Sequence, residues 1–149
     1  ILLSEFTKNF NPKVALDQRG IGLECEFPIV NHLGQAVSLG IIQQLFNYLE
    51  SKGFELKVDD FTKQPIAVTR VNVESALFFE YCEDTITTDL GHSTLEIALA
   101  PQTDLWKIQE QLNELLLLLL SYFDQHHCRI LGYWIQPFTP PSRDLLEYV

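Results

Sequence analysis

The sequence predicts an α+β domain in which a mainly antiparallel sheet carries its helices on one face. Segments with strand character alternate apolar and polar residues, which is typical of a sheet buried on one side. Only two segments have helical periodicity, and most connections between strands are too short for a crossover helix. With 149 residues the chain has the size of one ordinary domain.

The first predicted elements are a strand and a helix. Residues 22 to 30 alternate apolar and acidic side chains, which predicts a half-buried strand. Gly34 marks the turn that follows it. A helix is then expected, with Ser38 as its N-cap and Gly53 at the position of a C-terminal glycine.

The middle of the chain is rich in β-branched and aromatic residues, which favour strands. A bend is expected at residues 89 to 92, which include an aspartate and a glycine. The strands expected around it cover residues 54 to 58, 66 to 73, 76 to 88 and 94 to 99.

A long second helix is predicted after Thr103 or Asp104, either of which can serve as its N-cap. Leucines recur at helical spacing up to Phe123, which predicts a helix buried against the sheet. A last strand is expected over residues 129 to 136. No change in composition divides the chain, so residues 1 to 149 are expected to form a single domain.

Composition excludes several classes of function. The net charge is −10, from 20 acidic and 10 basic side chains, so nucleic acid is not expected as a partner. The run of leucines at residues 115 to 120 is too short to cross a bilayer, so no membrane partner is expected. Cys25, Cys82 and Cys128 are odd in number and widely spaced, which favours a reducing cytoplasm. The oligomeric state, including a homo-oligomer, is left open.

Common catalytic motifs are absent from the sequence. It contains no Gly-x-x-x-x-Gly-Lys-[Ser/Thr] loop, so a phosphate would have to be bound by another route. No combination of Ser, Cys and His predicts a nucleophile, and no catalytic side chain is assigned. Because the chain begins at Ile1 and contains no methionine, we expect it to be a piece of a longer protein.

Two acidic residues lie side by side on the first predicted strand. In Leu23-Glu24-Cys25-Glu26-Phe27, the period of two sends both glutamates to the face opposite the apolar residues. They are about 7 Å apart, since a strand rises about 3.3 Å per residue. Two carboxylates this close repel each other unless a cation lies between them, and Mg²⁺ or Mn²⁺ prefers such oxygen ligands.

A later strand repeats the acidic pattern. Leu95, Ile97 and Leu99 share one face and leave Glu96 on the other. Asp89 lies at the start of the expected bend, from which it can approach the same space. The alternative is a sheet face exposed to water, whose acids bind nothing. The pattern alone does not decide between a metal site and this solvated face.

The acidic segments resemble those of a known family. Residues 22 to 26, Gly-Leu-Glu-Cys-Glu, resemble the Gly-x-Glu-x-Glu strand that opens glutamate–cysteine ligases and related carboxylate–amine ligases. Residues 86 to 97, Ile-Thr-Thr-Asp-Leu-Gly-His-Ser-Thr-Leu-Glu-Ile, are similar to the second acidic motif of the bacterial enzymes. The Leu-rich helix, His126-His127 and residues 132 to 138 follow in the family's order, so the resemblance spans residues 20 to 140.

This resemblance implies that the chain is the N-terminal part of a ligase with a glutamine-synthetase-like fold. The antiparallel sheet would then be curved, with ATP, metal ions and glutamate on its concave face. The resemblance implies that Glu24, Glu26, Asp89 and Glu96 bind Mg²⁺ or Mn²⁺, or face the phosphates, and that Gln136 contacts substrate. In the implied reaction ATP phosphorylates the γ-carboxylate of glutamate, and the amine of cysteine attacks the acyl phosphate.

The chain also departs from the family. His92 stands where several bacterial relatives carry an acid, so the sequence does not decide whether this imidazole is a ligand. Family members are much longer than 149 residues, and this chain has no obvious basic cluster for phosphates. We therefore expect this part alone to be inactive. A ligase with another amine substrate, and a non-catalytic acidic module that contacts other proteins, are the alternatives.

Overall fold

The computed structural model describes residues 19 to 89, 91 to 133 and 139. Within these residues six strands form one sheet, and each neighbouring pair is antiparallel. The predicted α+β class and the mainly antiparallel sheet are therefore confirmed. The strands are β1 (Ile21–Val30), β2 (Glu55–Val58), β3 (Pro65–Val71), β4 (Glu83–Thr88), β5 (Thr94–Gln102) and β6 (Arg129–Ile130), in the spatial order β2-β3-β4-β5-β1-β6.

Two helices, α1 (Leu39–Glu50) and α2 (Leu105–Gln125), pack on one face of the sheet, as predicted. Leu45 of α1 and Leu119 of α2 are completely buried in the same core as the strands. Full burial of each such side chain contributes about 1.5–3 kcal/mol. Among the described residues, neither helix has the length and apolar character needed to span a membrane.

The helix ends follow the sequence closely. Asp104 is the N-cap of α2, and its Oδ1 accepts a hydrogen bond from Trp106 N at 2.7 Å. Ser38 occupies the N-cap position of α1, although its side chain makes no capping hydrogen bond. Gly53 adopts a left-handed conformation with φ of 97° two residues after the C-cap of α1, Ser51. The connection to β2 can turn there because glycine has no Cβ.

The predicted strand at residues 76 to 88 is wrong over its first half. Residues Ser75–Leu77 form a short 3₁₀ helix, and the strand covers only Glu83–Thr88. Asn72 starts the turn, because its Oδ1 accepts a hydrogen bond from Ser75 N at 3.0 Å. A side chain that satisfies the backbone locally competes with a strand ladder.

The last strand is also shorter than predicted. Only Arg129–Ile130 pair with the end of β1, and residues 132 and 133 form a bend. The remainder of the predicted strand, residues 134 to 136, lies outside the described residues. The sheet therefore ends, within the part of the chain that is described, on a two-residue edge strand.

A buried carboxyl group links the sheet to α2. Asp84 of β4 is completely buried, and its Oδ1 accepts hydrogen bonds from Ala100 N at 3.0 Å and from Gln111 Nε2. Its Oδ2 lies 3.3 Å from Arg70 Nη2 on β3. The carboxyl oxygens thus have partners on β3, β5 and α2, which compensate for the loss of water.

Replacement of Asp84 by alanine is expected to destabilise the fold by about 3–5 kcal/mol, since it leaves the partners of a buried charged network unsatisfied. Asp124→Ala is the control, because it removes an exposed carboxylate that pairs with Arg129 at 2.8 Å, and should cost less than about 1 kcal/mol. Urea unfolding of both variants measures the difference. Equal losses would contradict a structural role for Asp84.

Candidate functional site

The pairing of β1 with β5 decides which side chains share a face. Cys25 lies opposite Ile97, and these side chains belong to the face that packs under the helices. Glu26 lies directly opposite Glu96 on the other face. The Cβ atoms of directly opposed residues are typically about 4.5–5.5 Å apart. The side chains of Glu26 and Glu96 therefore start close enough for their carboxylates to approach one cation.

The other two predicted acids lie on the same face. Glu24 pairs with Ala98, next to Glu96 along β5. Asp89 N donates a hydrogen bond to Thr94 O at 3.0 Å, which extends the pairing of β4 with β5 by one residue pair. The side chain of Asp89 therefore lies on the same face of the sheet as that of Glu96. We call the surface formed by Glu24, Glu26, Asp89 and Glu96 the acidic face.

Glu96 is at the electrostatic centre of the acidic face. Burial raises the pKa of Glu96, and the charges of Asp89, Glu24 and Glu26 raise it further. Glu24 and Glu26 are exposed, whereas Asp89 and Glu96 are half-buried. The central carboxylate is thus partly removed from water and has three like charges around it. Such repulsion is relieved by a proton or by a cation.

The donor atoms of the acidic face fit a hard divalent cation, because Mg²⁺ and Mn²⁺ prefer carboxylate oxygens. With the side chains as they stand, no three His, Cys, Asp or Glu groups among the described residues are close enough to hold a metal ion. The acids extend from paired strands, and glutamate has several rotatable side-chain bonds. Rotamer changes can therefore move the oxygens together without movement of the backbone.

His92, whose role the sequence left open, is not on the acidic face. His92 is 7% exposed, and its Nε2 lies 3.0 Å from the carbonyl oxygen of the core residue Val37. Because a carbonyl oxygen only accepts, Nε2 carries a proton here and has no lone pair for a metal. His92 Nδ1 is buried and has no hydrogen-bond partner among the described residues. Gln136 lies outside the described residues.

Sequence reasoning missed two small residues that belong to the same surface. Thr87 pairs with Glu96, and Thr85 pairs with Ala98, so both lie on the face of the acids. Thr87 Oγ1 donates a hydrogen bond to Ile66 O at 3.1 Å. The signal was present in the sequence, since Asp89 follows these threonines at intervals of two residues.

A cleft of about 460 Å³ opens beside the acidic face. Glu24 and Ala98 line it together with Tyr81, whose side chain is 63% exposed. Its volume lies within the range of about 300–1,000 Å³ that is typical of small-molecule sites. The acids therefore lie next to a space that can hold a small ligand.

Comparisons with protein-family models, curated proteins and solved structures give no match to this chain. The resemblance to the ligase family consequently rests on the sequence motifs alone. The convergence of the four acids on one face follows from strand register and does not depend on that resemblance.

Glu96→Gln is expected to raise the unfolding temperature in metal-free buffer. Since the pKa of Glu96 is raised, the folded protein binds this proton more tightly than the unfolded chain. The free energy of unfolding therefore falls as the pH rises from the ordinary value of 4.5 through the raised value. Calorimetry in EDTA between about pH 4 and pH 8 should show that the unfolding temperature of the variant exceeds that of the native protein by an amount that grows with pH.

Glu80→Gln is the matched control for this charge change, because Glu80 is exposed and lies in the loop before β4. It should change the unfolding temperature little at any pH. A Glu96→Gln variant that is less stable than the native protein at neutral pH would show that the carboxylate is structural.

Proposed function

We propose that this chain is the metal-binding part of an ATP- and Mg²⁺-dependent ligase that joins the γ-carboxylate of glutamate to the amine of cysteine. The supporting observation is the convergence of Glu24, Glu26, Asp89 and Glu96 on one face of an antiparallel sheet. The sequence motifs supply the choice of substrates and the glutamine-synthetase-like arrangement, and the number and spacing of the cysteines supply the cytoplasmic location. The complete enzyme is a longer protein in this proposal.

The charge of the acidic face suits a metal–nucleotide complex better than free ATP. The negative charges of a triphosphate and of the four carboxylates repel each other unless divalent cations neutralise them. Glu26 and Glu96 would hold such a cation between β1 and β5, with Glu24 and Asp89 on either side. When bound, Mg²⁺ supplies Lewis-acid stabilisation of the charge that develops in phosphoryl transfer. The carboxylates themselves position the cation and need not react.

The surroundings of the acids leave room for substrates. Thr85, Thr87 and Ala98 are small, so they place no bulky group between the neighbouring strands. The cleft beside Glu24 presents the exposed ring of Tyr81, on which a flat group such as a nucleobase can stack. We assign this cleft to a substrate of the same reaction.

A non-catalytic acidic module is the second candidate function. It is favoured by the observation that, among the described residues, no three potential ligands are yet close enough to hold a metal ion. Such a module would use the acidic face to contact a basic surface of another protein. Cation and nucleotide binding separate the two candidates.

Mg²⁺ with ATP is expected to raise the unfolding temperature of the full-length protein. A ligand present at a hundred times its dissociation constant stabilises the folded state by about 2.7 kcal/mol. Glu24→Gln and Glu96→Gln should each abolish most of this shift, because each removes one negative oxygen ligand. Glu80→Gln should keep it. Differential scanning fluorimetry with Mg²⁺, with ATP and with both provides the measurement.

The reaction itself is tested by mass spectrometry of the full-length protein incubated with ATP, glutamate and a set of amines. Formation of γ-glutamylcysteine with release of ADP and phosphate is the expected result. Another amide product would indicate a related ligase with a different amine. If Mg²⁺ and ATP leave the unfolding temperature unchanged and no amide forms, the ligase proposal fails.

A further inference from the structure

A second cleft lies away from the acidic face, where the turn after β1 meets the C-terminal end of α2 and β6. We call it the edge cleft. Its volume is about 690 Å³, which is sufficient for a small organic ligand. Val30 and Leu131 provide apolar walls, and Asn31, His32, His127 and Arg129 provide polar ones.

The edge cleft is basic in an acidic protein. The chain has only 10 Lys and Arg side chains against 20 acidic ones, yet the described residues that line this cleft include no Asp or Glu. Arg129 Nη1 donates to Asp124 Oδ1 and to Cys128 O, both at 2.8 Å. Its Nη2 and Nε donate no hydrogen bond to a described residue. These two nitrogens can bind a planar anion in bidentate geometry.

His127 is held in a conformation that normally belongs to glycine. It follows the C-cap of α2, His126, and has a φ of 55°. Helices commonly end with a left-handed glycine at this position, since other residues pay a steric cost there. His126 packs on Tyr122, with ring centroids 4.3 Å apart. His127 makes no such contact with a described residue, and it lines the cleft instead.

Asn31 presents its donor group in a fixed orientation. Its Oδ1 accepts hydrogen bonds from Leu33 N at 2.9 Å and from Gln35 N at 3.1 Å. The oxygen is therefore occupied by the turn, and the Nδ2 donors are left for another acceptor. The polar residues of the edge cleft thus offer several donors: the amide of Asn31, an N–H of each imidazole and the guanidinium of Arg129.

We propose that the edge cleft binds a small organic anion, a carboxylate or a phosphate monoester, whose apolar part lies against Val30 and Leu131. Arg129 supplies the charge, and Asn31, His32 and His127 supply further donors. The carboxylate of Asp124 competes with the ligand, because it already accepts from Arg129. This site is separate from the acidic face and does not depend on the ligase proposal.

The test is an NMR titration of the full chain with inorganic phosphate, phenyl phosphate and benzoate. Phenyl phosphate or benzoate should shift the amide signals of Gly34, His127 and Leu131 until they saturate. The dissociation constant of at least one of them should be lower than that of inorganic phosphate. A preference for phenyl phosphate identifies a phosphate monoester site, and the reverse preference identifies a carboxylate site. Absence of saturable shifts at these amides for all three anions overturns the proposal.

Two variants at the cleft should act in opposite directions. Arg129→Gln should weaken binding about tenfold, since a charge-assisted hydrogen-bonding pair is lost. Asp124→Asn should tighten binding about two- to threefold, since it frees Arg129 from its competitor. Lys63→Gln removes a positive charge at an exposed turn between β2 and β3 and should have no effect. Equal affinities for the Arg129 and Lys63 variants overturn the proposal.

His127→Gly separates binding from helix termination, because glycine accepts the left-handed backbone. Lys63→Gly is its control, since Lys63 also has a left-handed φ, of 57°, but lies outside the cleft. Both variants should remain folded, and only His127→Gly should weaken anion binding. If His127→Gly leaves the affinity unchanged, His127 only ends the helix and its side chain is not part of the site.

Discussion

The antiparallel register of β1 with β5 is the constraint on which the candidate site depends. Cys25 opposes Ile97 and Phe27 opposes Leu95 beneath the helices, so Glu26 must oppose Glu96 on the other face. A slip of one residue would send the glutamates into the core and the apolar side chains into water. Burial of an unpaired carboxylate costs far more than a buried methylene contributes. The apolar core therefore holds the four acids together although they repel one another.

Two acids of the sheet show how environment separates a structural role from a candidate ligand role. Asp84 and Glu96 lie on neighbouring strands but on opposite faces. Around Asp84 the structure supplies a backbone N–H, an amide and a guanidinium, which replace the water lost on burial. Burial raises the pKa of the Glu96 carboxyl group, and the three acids around it raise that pKa further. An unbalanced group of this kind is more typical of a binding site than of a fold-stabilising network.

The sequence allowed the face of each acid to be predicted but not its partner. Alternation of Leu95, Glu96 and Ile97 determines which way a side chain points, since successive residues alternate across a strand. The direct opposition of Glu26 and Glu96 depends on register, which is set by contacts between distant segments. The error at residues 76 to 82 has a local cause in the turn that Asn72 starts, and a distant one, because Ser75 Oγ donates to Pro101 O at 2.7 Å. The second contact joins residues 26 positions apart, which local propensity does not report.

The acidic face and the edge cleft together illustrate why net charge does not determine what a protein binds. Glu26, the acid of the acidic face nearest to Val30 along β1, is four residues from it, or about 13 Å. At physiological ionic strength the Debye length is about 8 Å, so exposed charges at this separation are largely screened from each other. The acidic face can therefore attract cations while the edge cleft, with Arg129 on its wall, attracts anions. The net charge of −10 governs solubility and long-range encounter, whereas each surface is governed by the few groups within one Debye length of it.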